Sequence, residues 1–302
     1  VETADGRAPL HVEGRRPLKA VEYATPVASA QVKSCVLLAG LGAEGRTVVR
    51  EPEPTRDHTE RMLRWLGVRV EGEAGREGGN VVSVEGPAGF EARDIEVPGD
   101  ISSAAFLFAA AALLPGSELS VEGVGLNPTR AEIVRTMRAL GADVRAEDGA
   151  DCSNEPAGRV VVRGGEGLRP EAGANVVRGR AVARLIDELP VLAVVGARVE
   201  GGLEIRDAAE LRVKESDRIR AVVSNLRAMG ARVEELEDGL RVEGPQRLRG
   251  ARLDSFGDHR IAMAFAVAAL AAEGETEIEG AAECVGVSFP DFFPLLESVA
   301  ER

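Results

Sequence analysis

Nearly unbroken apolar runs recur four times along the chain, at residues 30–41, 103–114, 189–197 and 261–272. Each is closed by a glycine-marked turn, at Gly45, Gly116, Gly202 and Gly274. A run such as Ile-Ala-Met-Ala-Phe-Ala-Val-Ala-Ala-Leu-Ala-Ala has no polar face, which predicts a helix buried on all sides. Cys35, mid-run between apolar neighbours, reads as core. A second kind of helix carries its apolar residues on one face: in 216–229 these are Ile219, Val222, Val223, Leu226 and Met229. Thr129 with Glu132 predicts a capping box ahead of Ile133, Val134, Met137 and Leu140. The one-faced helices end alike, at Leu66-Gly67, Leu140-Gly141 and Met229-Gly230. Short strands such as Val81-Val-Ser-Val and Val160-Val-Val-Arg lie beside Asp-Gly or Gly-Gly turns, a hairpin signature. The repeated unit is therefore βαβαββ-like. An α/β fold follows in which several units put helices inside and sheets outside.

The repeat also phases the chain. The stretch from Val1 to Gly14 lines up with Val233-Glu-Glu-Leu-Glu-Asp-Gly-Leu-Arg-Val-Glu-Gly, which follows a one-faced helix, so the chain is expected to begin inside a repeat. Residues 93–100, with Pro98-Gly99, mark a crossover. Two domains are expected, 1–97 and 98–302.

The unusual polar residues gather where the apolar helices begin: Pro-Val-Ala-Ser-Ala-Gln (26–31), Pro-Gly-Asp-Ile-Ser-Ser (98–103), Leu-Ile-Asp-Glu-Leu-Pro (185–190) and Phe-Gly-Asp-His-Arg (256–260). Helix N-termini favour bound anions, through free N–H groups and the helix dipole. A further run, Leu211-Arg-Val-Lys-Glu-Ser-Asp-Arg-Ile, packs Lys214, Glu215, Asp217 and Arg218 at a helix start. Taken singly, each has an ordinary structural use. Ser29, Ser216 and Asp187 can be N-caps, and His259 can be a hydrogen-bonded turn histidine. Their equivalent places in the repeat argue instead for one shared region. That region would gather Lys214, Arg218 and Arg260, chemistry suited to phosphate and carboxylate.

The net charge of −13 argues against a general nucleic-acid surface but not against a small anionic substrate held by local charge. Aromatics form only 3% of residues, so cores must be built from Ala, Val, Leu and Ile. Cys35, Cys152 and Cys284 lack metal-ligand spacing and read as free thiols in a reducing cytosol. The apolar runs fall short of the ~20 residues that span a bilayer.

At these residues the chain closely resembles the 3-phosphoshikimate 1-carboxyvinyltransferase (EPSP synthase) family of enolpyruvyl transferases. The matching segments are Ser29-Ala-Gln-Val-Lys-Ser34, Arg56-Asp-His-Thr-Glu60, Leu185-Ile-Asp-Glu-Leu-Pro190, Arg212-Val-Lys-Glu-Ser-Asp-Arg218, Gly257-Asp-His-Arg260 and Ser288-Phe-Pro290, in family order along the whole chain. The resemblance implies an inside-out α/β barrel fold of two three-repeat domains with substrates between them. It implies that four of six repeats are present: 1–97 would be the remaining repeat of an incomplete N-terminal domain, and 98–302 the C-terminal domain.

It also implies roles. Ser29, Ala30, Gln31 and Arg56 would hold shikimate 3-phosphate. Asp187 and Lys214 would contact its 5-hydroxyl, with Asp187 as proton acceptor. Lys214 and Glu215 would move protons at the enolpyruvyl carbons. Gln31, Arg218 and Arg260 would bind phosphoenolpyruvate, with Asp258 and His259 shaping that loop. Val287 stands where some relatives carry Lys. No metal or cofactor is called for. The enzyme is expected to be cytoplasmic, and a monomer when complete or paired with a separate N-terminal fragment. The nearest alternative is the UDP-N-acetylglucosamine enolpyruvyl transferase. Lys-Glu-Ser-Asp-Arg and Gly-Asp-His-Arg favour the shikimate enzyme. A second alternative is a domain fragment without activity of its own.

Overall fold

The computed structural model describes residues 2–14, 16–75 and 79–300. Val1 and Arg302, at the ends of the two expected domains, lie outside the described residues. The chain divides into two compact units, Val1–Val97 with Cys152–Glu155, and Pro98–Asp151 with Pro156–Arg302.

In the first unit, strand Ala43–Glu51 is the axis of the sheet. Leu18–Lys19 and Glu22–Ala24 pair with it in parallel, and Asn80–Gly86 pairs antiparallel, with Val49 opposite Val82. Val70–Ala74 closes the far edge against Asn80–Gly86. Helix α1 (Ala30–Gly40) and helix α2 (His58–Trp65) accompany this sheet, and Leu37, Val49, Leu63, Val68, Val70, Val82 and Val84 form its core.

α1 is not buried on all sides as its composition predicts. It buries the line Lys33, Leu37 and Gly40, one face of a helix, while Val32, Cys35 and Leu38 are exposed. Cys35 is therefore a surface thiol rather than core. An apolar run shows that a helix can be wrapped, but a single sheet covers only one side of it.

The second unit matches the pattern more fully. Helices α3 (Ile101–Leu113), α6 (Leu189–Gly196) and α8 (His259–Leu270) pack on one another and are buried almost throughout. Around them lie α4 (Glu132–Ala139), α5 (Arg180–Leu185), α7 (Arg218–Ala228), α9 (Ala281–Ser288) and α10 (Phe292–Val299). Phe292 of α10 meets Phe106 of α3 edge to face, with centroids 6.1 Å apart. The strands form a sheet of three, with Ala157–Arg163 between Glu118–Gly125 and Asp143–Asp148. A four-stranded sheet contains Val176–Val177, Leu203–Ile205, Gly239–Val242 and Val233–Leu236, and Arg252–Asp254 pairs with Glu277–Glu279. Among the described residues no helix is long and apolar enough to cross a membrane.

One terminator recurs in α2, α4 and α7. Gly67, Gly141 and Gly230 take positive φ, and their N–H groups bond the carbonyls of Arg64, Arg138 and Arg227. The next N–H in each case bonds the carbonyl of Leu63, Met137 or Leu226, which completes a Schellman closure. Each of those arginines then reaches into the following strand, to the carbonyl of Val70, Val144 or Val233. A shared sequence ending thus sets both where the helix stops and where the next strand begins.

The capping box expected at Thr129 and Glu132 does not form. Asn127 Oδ1 accepts from the Thr129 N–H at 2.9 Å and from its hydroxyl at 2.7 Å, so that hydroxyl is committed to a local turn. α4 starts behind Ala131 without a side-chain cap, and the Glu132 carboxylate pairs with Arg135 and Arg184.

Candidate active site

In the first unit, Ser29 is the N-cap of α1 and accepts from the Val32 N–H at 3.3 Å. Ala30 and Gln31 form the first turn behind it, with Gln31 exposed. Arg56 precedes Asp57, the N-cap of α2, and is half-buried. Two links hold α1 and α2 together close to their N-termini. Ser34 Oγ and Thr59 Oγ1 are 2.7 Å apart. Lys33 Nζ lies 2.7 Å from Glu60 Oε1 and 3.2 Å from Glu51 Oε2, with Lys33 and Glu51 fully buried. The motifs that carry Ser29, Gln31 and Arg56 are thus fastened to one another by buried charge. Lys33 carries no functional expectation from the sequence. Its signal was a lone cation inside an apolar helix.

In the second unit, arginines from separate segments surround one carboxylate. Asp187 Oδ1 faces Arg218 Nη1 at 3.6 Å and Arg260 Nε at 3.5 Å, while Oδ2 faces Arg130 Nη1 at 3.6 Å. Arg260 also donates to the Asp187 backbone carbonyl at 3.3 Å. Asp187 is therefore an ion-pairing centre and not a helix cap. α6 begins behind Glu188, with no side-chain cap.

Arg218 opens α7 and is buried. It donates to Asp258 at two points and to Glu215 Oε2 at 2.6 Å. Asp258 also accepts from Ser216 Oγ at 3.1 Å, and it caps α8 by accepting from the Arg260 N–H at 2.9 Å. Asp217, not Ser216, caps α7, since Ser216 spends its hydroxyl on Asp258. Burial alone raises the Asp258 carboxyl, but the bonds and charge of Arg218 outweigh it and hold the group below its ordinary value. Half-buried His259 is lowered by burial and then by the Arg260 charge, which favours neutral imidazole. Lys214 pairs with the Glu210 carboxylate one turn back. Val287 is exposed on α9.

The structure thus brings Asp187, Arg218, Arg260, Asp258 and Glu215 into one cluster. It adds Arg130, Ser102 and Glu188, which the sequence reading missed. Ser102 and Glu188 lie in helix-start runs that were noticed as runs. Arg130 sits in the turn before α4, a setting that resembles any surface arginine in sequence. Burial is the largest influence on Glu188 and pushes its carboxyl up, against the pull of Arg130 and the Ser102 hydroxyl. Buried Nη1 of both Arg130 and Arg218 has no hydrogen-bond partner among the described residues, although each faces Asp187.

Three guanidinium groups thus meet at the Asp187 carboxylate, beside the starts of α6 and α8. A family profile, EPSP synthase (3-phosphoshikimate 1-carboxyvinyltransferase), matches residues 1–296. The chain is 53% identical to the 3-phosphoshikimate 1-carboxyvinyltransferase of Koribacter versatilis, over 100% of this chain and 68% of that protein. It is 48% identical to the Geobacter metallireducens protein of the same name, over 98% and 66%. Among solved structures, EPSP synthase from Acinetobacter baumannii superposes with a TM-score of 0.85 at 41% identity, covering 94% of this chain and 63% of that one. The enolpyruvyl transferase NikO from Streptomyces tendae shares the fold, with a TM-score of 0.64 at 23% identity, covering 87% and 57%. The chain spans about two thirds of the length of these curated relatives. A sequence match over residues 1–296 and a fold match of this extent, reached independently of the side-chain cluster, establish that the chain belongs to the EPSP synthase family.

Proposed function

We propose that the protein transfers the enolpyruvyl group of phosphoenolpyruvate to the 5-hydroxyl of shikimate 3-phosphate, releasing phosphate. The observation that carries this reading is the Asp187 carboxylate held between Arg218 and Arg260. Arg260 offers paired donors to phosphoenolpyruvate, and Arg218 offers its Nη1, which has no hydrogen-bond partner among the described residues, its other nitrogens being held by Asp258 and Glu215. Asp258 and His259 shape the segment that presents Arg260. Gln31 assists at that substrate. Ser29, Ala30, Gln31 and Arg56 hold the phosphate and ring of shikimate 3-phosphate, and Lys214 joins Asp187 at its hydroxyl.

Asp187 takes the hydroxyl proton as the oxygen bonds to C2 of phosphoenolpyruvate, and the C3 methylene gains a proton to become methyl. That methyl then returns a proton, the C2–O bond to phosphate breaks, and the enol ether and inorganic phosphate result. Lys214 and Glu215 serve this proton traffic at C3. Guanidinium groups prearranged around the substrates stabilise the charge on the departing phosphate. The protein is a cytoplasmic monomer in its complete form, or pairs with a separate N-terminal fragment.

We also propose that residues 1–97 are one repeat of an incomplete domain, with 98–302 a three-repeat domain. The apolar but exposed line Val32, Cys35 and Leu38 supports this, being suited to cover by further repeats. On that reading the 302-residue chain alone is inactive. The test is a phosphorus NMR assay of the protein at the family's full length, given phosphoenolpyruvate with shikimate 3-phosphate or with UDP-N-acetylglucosamine. Product with the first acceptor, lost about 10²–10⁴-fold in Asp187→Asn, is expected. Turnover of the second acceptor only, or full activity in Asp187→Asn, refutes the assignment.

A further inference from the structure

Arg130 enters the site from a turn and ties three segments together. Its Nη1 faces Asp187 Oδ2 at 3.6 Å. Its Nη2 donates to Ser102 Oγ, in the first turn of α3, and lies 3.4 Å from Asp100 Oδ1. Ser102 Oγ in turn donates to Glu188 Oε1, so the guanidinium rests on a fixed hydroxyl. Ser102 and Glu188 are 0% and 1% exposed and Arg130 9%. Its backbone is equally fixed, because the Arg130 N–H bonds the carbonyl of buried Asn127 at 2.8 Å.

Asp187 is thus approached from two sides by groups with different futures. Arg218 and Arg260 face Oδ1, and on the proposed reading both turn their charge to phosphoenolpyruvate. Arg130 faces Oδ2, and its Nη2 is held by Ser102. We propose that Arg130 is a positioning residue for Asp187. It holds Oδ2 in place and keeps the carboxylate ionised after the other two arginines have engaged substrate, leaving Oδ1 to receive the hydroxyl proton. Ser102, backed by Glu188, seats Arg130.

Acidic groups also stand near Asp187. Glu188 adjoins it in sequence, and the Asp187 charge helps to push the Glu188 carboxyl up. Asp258 and Glu215 are turned to Arg218, and Asp100 to Arg130. A cation within ~4–6 Å lowers a carboxylate pKa by roughly one to three. Losing Arg130 therefore makes Asp187 easier to protonate.

The proposal rests on Asp187 as proton acceptor, and its test is separable from that reading. The 302-residue chain is labelled with carbon-13 at aspartate carboxyls, and Asp187 is identified by loss of its signal in Asp187→Asn. In Arg130→Gln the Asp187 titration midpoint is expected to rise by about 1 in pH, a tenfold gain in proton affinity. Arg130→Lys restores most of the shift. Ser102→Ala leaves every charge in place and moves the midpoint the same way by less, which keeps the test open if Arg130→Gln does not fold. At full family length, Arg130→Gln lowers kcat, moves the acid limb of the pH profile upward, and leaves the KM for phosphoenolpyruvate unchanged. An Asp187 midpoint unmoved in both Arg130→Gln and Ser102→Ala overturns the proposal while leaving the catalytic reading intact. Undiminished turnover in Asp187→Asn overturns the catalytic reading itself, whatever the titration shows.

Discussion

Arg218 and Asp258 form a two-point pair, Nε to Oδ2 at 2.8 Å and Nη2 to Oδ1 at 3.3 Å, with the side chains 1% and 0% exposed. The residues lie forty positions apart in sequence, and the pair binds the start of α7 to the start of α8. It therefore serves stability as well as the site, and the two roles separate by pH.

Asp258→Asn leaves Arg218 buried without its main partner. Breaking a buried pair in this way costs about 3–5 kcal/mol. The Asp258 carboxyl is held below its ordinary value in the folded state, because Arg218 overcomes the effect of burial. Its contribution is therefore complete above the unfolded value of about 3.9 and fades as pH falls through the lower folded value. Urea midpoints of the native chain and the variant should differ by a constant amount from neutral pH down to about pH 5, then converge in stronger acid. A gap that widens on acidification contradicts this.

Glu188 carries the opposite sign. Burial raises its folded pKa, so its contribution to stability is full below the unfolded value of about 4.3 and declines as pH rises through the folded value. Gln keeps the acceptor for the Ser102 hydroxyl but cannot ionise. The stability of Glu188→Gln relative to the native chain should therefore increase with pH above about 4.3 and level off once Glu188 has titrated. The same urea series reads this, and a pH-independent difference contradicts it.

The first unit offers a test of buried charge that does not involve catalysis. Lys33→Met strands the Glu51 and Glu60 carboxylates together and should cost about 3–5 kcal/mol. Adding Glu60→Leu removes one stranded charge and should recover much of the loss. Trp65, the single tryptophan, lies at the end of α2, so its fluorescence reports unfolding of this unit. Equal stability of Lys33→Met and the native chain would mean that the triad does not hold the unit.

These residues also show what could be read before the structure. The apolar runs and the Leu-Gly or Met-Gly endings identify α1 to α4 and α6 to α8 and their order, because period and terminator are local properties, but they give no sign of α5, α9 or α10. The meeting of Asp187 and Arg260 is legible from equivalent places in a repeat, and that of Arg218 from its run of charges at a helix start, whereas Lys214, expected in the same region, pairs with Glu210. The exposed face of α1 was not legible, since composition states what a helix can bury and not how many layers surround it. Thr129 was misjudged because Asn127, two residues earlier, competes for its hydroxyl and N–H. Arg130 and Lys33 escaped notice because each is defined by partners distant in sequence, Asp187 for one and Glu51 and Glu60 for the other.

The most direct test of the central claim is a titration of the 302-residue chain with phosphoenolpyruvate, followed through the arginine Nε–H resonances in nitrogen-15 spectra. Binding at this cluster should shift the Arg218 and Arg260 signals saturably, with one midpoint. Arg260→Ala should weaken that binding strongly, because a paired, charge-assisted contact is lost. Saturable binding that leaves both signals in place, or that Arg260→Ala does not weaken, contradicts the assignment of this cluster to phosphoenolpyruvate.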